Sequence, residues 1–496
     1  MQQLCLGHLE RSYVTVGACP ADLRPRGSFR ELCGSAVMYG ETSTTVVPYD
    51  KDLVSWPALG AVPVDLASAL SAEHTSWLRD LTANMRRPPA AAAALRSELG
   101  LRQPYVDPAF RHQRVYADFI KGMLERGMVR LVPTQAEATV GLFFVKKKSG
   151  RQRIIFDTRL ANCDFEPPPS THLPSASAFS KMETSECDVV WYSVGDVENA
   201  FYAISVPPEL GACFRLPPIR AGLVGRPVIG GSRPGAAASL TPILTVLPMG
   251  WSWALHLCQL VTEEGLSRGG LSADVLVKDR AAPQPLGPSR PLGAAGYVDN
   301  FLVQGAPRDR VTAAGRRVTA GLEEQGFSVH EDTAEAVDRT DFVGLAFDGR
   351  ARAVRVSTRR MWWVRLAIEE LLSQGRCSGD MLEVILGHVT WLMLLQRSTL
   401  SILSSVYAFV KANKQQIAPL WDSVAHELKL VRDLLPLFVA HTDSKWLPTV
   451  TASDASPWGC GVCVRDADPE LVGRWGAHRG EVALQAGSGR RQEPRL

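Results

Sequence analysis

Runs of apolar residues separated by short polar segments predict paired strands in the middle of the chain. Residues 141–157 hold two apolar runs around a basic segment and a Ser-Gly dipeptide, a pattern typical of a β-hairpin. Residues 189–206 contain two further strand-like runs. Tyr297 to Val303 predicts a short strand pair or a turn, because apolar residues lie on both sides of a polar dipeptide.

Apolar residues at helical spacing predict helices on both sides of these strands. Phe110 to Arg126 has an apolar face and is followed by Gly127, a helix stop signal. Further helices are predicted for Pro248 to Val261, Met361 to Leu372 and Met381 to Lys411. The chain is therefore predicted to contain both strands and helices.

The remaining segments show weaker patterns. Two stretches rich in Gly, Pro and Ser, residues 217–240 and 280–296, predict loops or insertions. Residues 1–104 hold few long periodic segments, so we expect an N-terminal extension of unknown role with some helices. A new strand pattern begins at Val450. We find no internal repeat.

Two acidic residues lie at the edges of apolar runs. Asp196 follows the run Val189 to Val194, and Asp299 lies within Gly296 to Val303. A carboxylate at the end of a buried strand is costly without a partner. On adjacent strands the two acids would form a site of hard oxygen ligands for two Mg²⁺ ions, or for Mn²⁺. Considered singly, each acid fits a turn cap or a salt bridge equally well.

Composition adds limits rather than a function. The 496 residues are 46% hydrophobic, which is enough for large cores, and the net charge of +3 confines any phosphate-binding surface to a local patch. Ten scattered cysteines favour reduced thiols in an intracellular protein of the cytoplasm or nucleus. The pair Cys460 and Cys463 lies in a strand-like run and is interpreted as two strand residues rather than a zinc site. No signal pattern or membrane span is expected.

Five segments of the chain are informative when they are considered together, in their order along the sequence. They are Phe143 to Asn162, Asp196 to Ile204, Leu247 to Ala254, Tyr297 to Asn300, and Asp341 to Leu345. In order and spacing these segments resemble the motifs of the reverse transcriptase family, over about residues 105–461. A single motif of four residues would be weak, whereas five in family order are specific. The resemblance implies an α+β fold, that of a right-hand polymerase with fingers, an antiparallel palm sheet backed by helices, and a helical thumb.

The resemblance assigns catalysis to the two acids. Asp196 and Asp299 match the family's metal-binding aspartates, and two metal ions there would activate a primer 3′-hydroxyl and stabilise the leaving pyrophosphate. Asn300 stands where the family usually has a second aspartate. Its amide still offers an oxygen to the metal, but one negative charge is lost, so weakened activity is expected.

Residues for substrate binding also follow from the resemblance. Lys147 and Arg153 would grip the triphosphate of the incoming nucleotide, although a basic hairpin alone also fits a solvated surface turn. Ala200 and Phe201 would also bind the substrate. Phe201 would pack under the sugar, where it would clash with a 2′-hydroxyl and select deoxynucleotides. For Phe201, ordinary core packing is the alternative.

Two further segments complete the substrate and primer contacts. Met249 and Gly250 would contact the nucleotide and template, with Met249 standing where the family often has Gln. Two tryptophans that follow, Trp251 and Trp253, also fit a buried helix start. Phe342, Val343 and Gly344 match the segment that holds the primer end and form the predicted primer grip. The family often has a lysine shortly before it, and His330 is the nearest candidate for a replacement general acid.

The last motif resembles the first strand of a ribonuclease H domain. Asp454, in Thr451 to Val462, matches that domain's first metal ligand. The residues that follow are far fewer than the roughly 100 that a whole domain needs. We therefore expect a truncated fragment without ribonuclease H activity. The predicted divisions are an extension at 1–104, fingers and palm at 105–345, thumb and connection helices at 346–445, and this fragment at 446–496.

Together these features predict an RNA-directed DNA polymerase of a retrotransposon-like element. Its expected partners are an RNA or DNA template with a primer and deoxynucleoside triphosphates, with no membrane and an open oligomeric state. Two alternatives remain. One is an inactive remnant that only binds nucleic acid, which Met249 and Asn300 favour. The other is a host-adopted interaction protein with no role in nucleic-acid chemistry.

Overall fold

The computed structural model describes residues 2–35, 46–147, 150–281, 285–456 and 458–472. Helices and strands both occur throughout, which confirms the prediction of a mixed fold. The α-helices are Gln2–Val16, Pro25–Ser35, Leu66–Ala69, Ala72–Arg79, Leu81–Asn84, Pro89–Glu98, Gln113–Leu124, Arg159–Asn162, Ala176–Phe179, Pro208–Gly211, Ala254–Arg268, Arg308–Glu324, Thr358–Gln374, Gly379–Met393, Ser404–Ala412 and Asp422–Leu434. The 3-10 helices are Pro108–Arg111, Ala221–Val224, Ala273–Val275, Leu394–Leu403 and Leu435–Leu437.

The strands are short, as is usual in mixed folds. They are Val46–Val47, Val64–Asp65, Val129–Pro133, Gly141–Lys146, Gln152–Asp157, Trp191–Val197, Ile204–Ser205, Ile219–Arg220, Ser239–Leu244, Leu292–Tyr297, Asn300–Gly305, Val329–Glu331, Arg339–Phe342, Leu345–Asp348, Ala353–Val356, Arg376–Cys377, Ala418–Pro419, Val439–His441, Thr449–Ser456 and Gly459–Asp466.

A four-stranded antiparallel sheet, here called the central sheet, carries both predicted catalytic acids. Its strand order is Leu292–Tyr297, Asn300–Gly305, Trp191–Val197 and Val329–Glu331. The first two strands form a hairpin with a two-residue turn. Trp191–Val197 lies in the interior of the sheet, and most of its residues are buried.

Alternate residues of the central sheet enter two different hydrophobic cores. Val197, Phe301 and Val303 belong to the first core, and Val194 and Leu302 belong to the second. Successive side chains of a strand point to opposite faces, so one sheet serves both cores. The helices Ala254–Arg268 and Arg308–Glu324 contribute their buried side chains to the first core and pack against the sheet.

The predicted hairpin is confirmed as an antiparallel pair, Gly141–Lys146 with Gln152–Asp157. A third strand, Val46–Val47, extends this small sheet by pairing with Gly141–Lys146. Tyr49 then packs its ring between the rings of Phe119 and Phe144.

Residues 1–104, expected as an extension, therefore contribute directly to the packed structure. Val64–Asp65 pairs in parallel with Ile204–Ser205, beside the first core. The helix Pro25–Ser35 contacts Thr358–Gln374 and places Phe29 in the second core. Strands of two residues are too short to be recognised by their periodicity, so the sequence pattern concealed this arrangement.

A second four-stranded sheet lies in the C-terminal half. Its strand order is Arg339–Phe342, Leu345–Asp348, Ala353–Val356 and Val439–His441, all antiparallel. The helices of residues 358–434 supply the largest share of the second core. Beyond them, Thr449–Ser456 pairs with Gly459–Asp466, and the strand pattern predicted from Val450 is thereby confirmed. The Gly- and Arg-rich tail from residue 473 lies outside the described residues.

Three secondary-structure predictions were wrong in part. The helix predicted from Pro248 begins only at Ala254, because residues 248–253 form a turn. The end of the predicted loop 280–296 is the strand Leu292–Tyr297, whose small residues fit closely against a helix. The helix predicted for Met381 to Lys411 is interrupted by a 3-10 segment, with Gln396 at φ −133° and ψ 69°.

Within the described residues, no helix is both long enough and apolar enough to span a membrane.

Candidate active site

The central sheet brings the two predicted acids to the same end of neighbouring strands. Asp196 is the register partner of Asn300, which directly follows Asp299 in the chain. The backbone N–H of Val197 donates a 2.8 Å hydrogen bond to the carbonyl of Asp299. The two carboxylates are close enough that the charge of Asp299 acts on the pKa of Asp196. The predicted convergence of these acids is therefore present in the structure.

The turn that carries Asp299 has a conformation unusual for its sequence. Val298 has a φ of 60°, and Asp299 is not in the left-handed region, which is the pattern of a type II′ hairpin turn. Glycine normally fills this first central position, and a β-branched residue there is strained. Strain of this kind, of order 1–3 kcal/mol, persists only where surrounding contacts hold it.

A neighbouring helix supplies those contacts. Gln259 accepts a 2.8 Å hydrogen bond from the N–H of Val298 and donates one of 2.9 Å to the carbonyl of Gly296. Thr262 donates from its hydroxyl to the carbonyl of Val298, and the Cys258 thiol approaches the same oxygen at 3.6 Å. Three side chains of Ala254–Arg268 thus fix the turn and aim Asp299. The sequence analysis did not identify them.

The electrostatics of the pair follow from burial and like charge. Burial raises the pKa of Asp196 above its ordinary value, and the acids Asp299, Asp332 and Glu198 add to the rise, while His330 opposes it. Asn300 donates a 2.6 Å hydrogen bond from Nδ2 to Oδ1 of Asp299. The amide therefore orients one carboxylate, a role that a second aspartate could not perform.

The donor set fits a divalent cation with oxygen ligands. Within the described residues, neither Asp196 nor Asp299 forms an ion pair with a lysine or arginine, so the two negative charges remain uncompensated. The described residues also contain no cluster of three or more His, Cys, Asp or Glu side chains suited to a metal. Mg²⁺ is commonly bound by one or two carboxylates together with substrate phosphates, and this pair matches that pattern.

Close packing beneath the acids leaves no room for a larger residue before Asp196. A Cβ added to Gly195 would lie 2.6 Å from Cζ of Phe301 and 3.0 Å from the carbonyl of His330. His330 itself is the register partner of Asp196 on the outer strand. Its ring lies 3.5 Å from Asp332 and is exposed. His330, the candidate general acid, is thus on the strand next to Asp196.

The segment after Asp196 forms a compact turn. Asn199 has a φ of 50°, and its carbonyl accepts hydrogen bonds from the N–H groups of Tyr202 and Ala203. Ala200 is buried, whereas Phe201 is only partly buried at the edge of the first core. Phe201 therefore both packs against the core and retains an exposed surface.

The predicted nucleotide-binding loop at Met249 and Gly250 is tied to the hairpin. Gly250 has a φ of 111°, and a Cβ there would lie 2.9 Å from the carbonyl of Phe156, so glycine is required. Asn162 donates to the carbonyl of Gly250 and accepts from the N–H of Ser252, at 3.1 and 3.0 Å. Met249 is partly exposed.

The two tryptophans that follow, Trp251 and Trp253, are buried, which agrees with the alternative of a buried structural position. Trp251 packs against the rings of Phe165 and Phe214, and Trp253 donates from Nε1 to the carbonyl of Glu166 at 2.7 Å. Both side chains anchor the loop at Met249 and Gly250 rather than contact a substrate.

The cations of the hairpin lie near this turn and loop. Arg153 is exposed, and its charge acts on Tyr202, whose hydroxyl donates to the carbonyl of Ile154 at 2.8 Å. Lys147 donates from Nζ to Oγ of Ser55 at 2.8 Å. Burial and the charges of Arg153 and Arg151 lower the pKa of Lys147 from its ordinary value. Such crowding of positive charge is relieved when an anion binds.

The predicted primer grip is a tight hairpin turn. Phe342 and Leu345 are register partners, and Val343 and Gly344 between them both have positive φ, at 45° and 82°, as in a type I′ turn. Phe342 is buried in the second core, so only Val343 and Gly344 are available at the surface.

An arginine that the sequence analysis missed lies behind this turn. The position of a Cβ on Gly344 would be 2.6 Å from Nη1 of Arg360, and the guanidinium stacks 4.2 Å from the ring centre of Trp391. Burial lowers the pKa of Arg360, and Tyr297 of the acid-bearing hairpin faces it. Within the described chain Arg360 makes no ion pair, and its buried Nε has no hydrogen-bond partner.

Asp454 lies apart from these groups on the strand pair at 449–466. It is exposed and is the register partner of Gly461. The described residues place no group of metal-binding side chains around it. Cys460 and Cys463 are exposed strand residues on the partner strand, as interpreted from the sequence.

Comparison with known proteins gives structural likenesses only. No family model matches the chain, and no curated protein matches it. The chain is similar to solved structures of a foamy viral protease-reverse transcriptase. The form termed dRH in complex with dsDNA shares 14% identity at a TM-score of 0.48, over 91% of this chain and 67% of that chain. A second complex with dsDNA shares 14% identity at a TM-score of 0.47, over 91% of this chain and 79% of that chain.

A third structure holds an RNA/DNA hybrid and shares 13% identity at a TM-score of 0.47. It covers 94% of this chain and 56% of that chain. Because these TM-scores lie below 0.5, the likeness carries no functional argument. The function of this chain is inferred from its own motifs and from the geometry of the acid pair.

Proposed function

We propose that the chain is a template-directed nucleotidyltransferase of the reverse transcriptase type, which extends a primer 3′-hydroxyl with deoxynucleoside triphosphates. The observation that carries the proposal is the register of Asp196 with Asn300, which places two uncompensated carboxylates side by side. In this proposal the central sheet is the palm, the hairpin at 141–157 belongs to the fingers, and the helices after residue 358 form the thumb.

Each group of residues has a separate task. Asp196 and Asp299 would hold Mg²⁺, which supplies activation of the attacking hydroxyl and charge neutralisation at the leaving pyrophosphate. Asn300 keeps Asp299 oriented through the 2.6 Å hydrogen bond. Lys147 and Arg153 would neutralise phosphate charge. Burial and the neighbouring arginines lower the pKa of Lys147, and a bound triphosphate would offset the repulsion between these positive charges.

The primer strand would pass over the turn Val343–Gly344. Arg360 would bind a backbone phosphate near the primer end, because its guanidinium lies beside Gly344 and forms no ion pair within the described chain. Its position close to Tyr297 connects this contact with the acid-bearing hairpin. The primer terminus would thereby be fixed relative to Asp299.

Phe201 would discriminate between sugars. Its ring is partly exposed five residues after Asp196 and packs on the first core from below. A rigid aromatic edge beneath the sugar leaves no space for a 2′-hydroxyl. We expect Phe201→Ala to incorporate ribonucleotides at least about tenfold more efficiently relative to deoxynucleotides. An unchanged preference in single-nucleotide incorporation would show that Phe201 has only a packing role.

Primer extension on an RNA template, with Mg²⁺ or Mn²⁺, tests the function as a whole. Wild-type protein should extend the primer, and Asp196→Asn and Asp299→Asn should each abolish extension. Asp118→Asn is the matched control, because Asp118 is an exposed acid that pairs with Lys121 on the same helix. Extension that is equal in wild type and Asp196→Asn would refute the assignment.

A second function, nucleic-acid binding without catalysis, is favoured by Asn300. The amide removes one of the negative charges that the family motif usually has, which weakens metal binding. This alternative predicts salt-dependent binding of an RNA–DNA hybrid together with no primer extension in either metal. Binding that Lys147→Ala weakens, combined with metal-dependent extension, would reject it.

A further inference from the structure

A cavity of about 320 Å³ lies away from the acid pair, between the helix Gln2–Val16, the second four-stranded sheet and the 3-10 segment Leu435–Leu437. Its lining includes two arginines, Arg11 and Arg355, together with His441. No Asp or Glu lines the cavity in the described part of the chain. A concave site of this size with basic groups and no acid is suited to a small anion.

Arg355 is the central group of this cavity. It lies on the interior strand Ala353–Val356 as the register partner of Val439, and its Nε is buried with no hydrogen-bond partner among the described residues. Burying an arginine donor without a partner is unfavourable. The residue also lines the cavity, where its positive charge can attract an anion.

Asp348, the acid that acts electrostatically on Arg355, already has other partners. The charge of Asp348 acts on Arg355, but the Asp348 carboxylate lies 3.1 Å from Nε of Arg339 and accepts a 2.9 Å hydrogen bond from the N–H of Ala351. Arg339 also adds positive charge near Arg355. Within the described residues, neither Arg355 nor Arg11 forms an ion pair with an acid.

The remaining walls indicate what accompanies the anion. Val16, Leu437 and Val439 form an apolar side beside the basic side, and Gln396 is held there by a 2.5 Å hydrogen bond from Nε2 to the carbonyl of Val439. Two guanidinium groups from different elements suit a phosphate, whose several oxygens accept hydrogen bonds from more than one direction.

We propose that this cavity is a binding site for a small phosphate monoester, with its phosphate between Arg355 and Arg11 and its apolar body against Val16, Leu437 and Val439. The site is independent of the proposed polymerase chemistry, since no residue of the acid pair, the hairpin or the primer grip lines it.

Isothermal titration of the full chain with phenyl phosphate tests the site, with benzyl alcohol as a probe that lacks the phosphate. Wild-type protein should bind phenyl phosphate and should not bind the alcohol measurably. Arg355→Met keeps an apolar stem and removes the charge-assisted hydrogen bonds, so its Kd should rise about tenfold or more. Arg350→Met is the matched control, because Arg350 is exposed on the adjacent turn and pairs with Asp338.

Arg11→Met is a second variant from a different element and should also weaken binding. It decides the question if Arg355→Met does not fold, because Arg11 is exposed and forms no ion pair within the described chain. Absence of binding to wild-type protein at millimolar phenyl phosphate would overturn the proposal. Equal affinity in wild type, Arg355→Met and Arg11→Met would do so as well.

Discussion

Replacing Asp196 with asparagine should stabilise the metal-free protein while abolishing its activity. The Asp196 carboxylate accepts no hydrogen bond within the described chain, so the amide loses no polar contact there. The substitution removes a charge whose pKa is raised by burial and by Asp299, Asp332 and Glu198. Without this charge, the folded state should lose the repulsion between Asp196 and the neighbouring acids, which a bound cation would otherwise offset.

The size of the effect follows from charge separation. Side chains on neighbouring strands place two charges about 6 Å apart, where they repel by about 0.7 kcal/mol in water and about 2.8 kcal/mol at an effective dielectric constant of about 20. Asp196 is only partly buried, so solvent screening favours the lower part of this range. We expect Asp196→Asn to raise the free energy of unfolding by about 1 kcal/mol at pH 7 in EDTA.

The sign of the pH dependence is fixed by the raised pKa. A carboxyl with a folded-state pKa above its unfolded value of about 3.9 favours the fold below that pH, and this benefit is lost as pH rises through the folded-state pKa. The difference between variant and wild type should therefore be present at pH 7 and absent near pH 3. Urea unfolding at both pH values measures it, with Asp118→Asn as the control. A variant less stable than wild type at pH 7 in EDTA would refute the reasoning.

Three other substitutions probe separate parts of the site. Arg360→Gln should reduce the slope of log affinity for a primer–template against log salt by about 0.9, whereas Arg359→Gln, at a residue paired with Asp22, should leave it unchanged; equal slopes would remove Arg360 from the primer contact. Gly195→Ala should destabilise the protein by about 2 kcal/mol in urea unfolding because its Cβ meets its register partner, while Gly387→Ala, in open space, should not destabilise it. Asn300→Asp should lower stability in EDTA and increase stabilisation by Mg²⁺, and no change in the Mg²⁺ response by thermal denaturation would count against a metal role at this position.

The sequence was most informative where apolar runs ended in a charged residue. The strand before Asp196 and the turn at Asp299 were both predicted, and their pairing on adjacent strands is present in the structure. Local pattern suffices here because a buried strand and a two-residue turn have distinct signatures.

Contacts between distant segments were not visible in the sequence. Gln259 and Thr262 hold the strained Val298 turn, yet on a helix they resemble ordinary polar positions. Their spacing of three residues, on a face that is otherwise buried, is the signal that could have identified them. Arg360 could not be assigned at all, because its role depends on a turn brought to it by the tertiary fold.

The most direct test of the central claim is a titration of Mn²⁺ binding to the full chain, followed by electron paramagnetic resonance in the presence of a deoxynucleoside triphosphate. If Asp196 and Asp299 bind the metal, wild-type protein and Asp118→Asn should bind Mn²⁺ with the same affinity. Asp196→Asn and Asp299→Asn should each lose this binding. Undiminished Mn²⁺ affinity in both acid variants would contradict the assignment of Asp196 and Asp299 as the metal ligands.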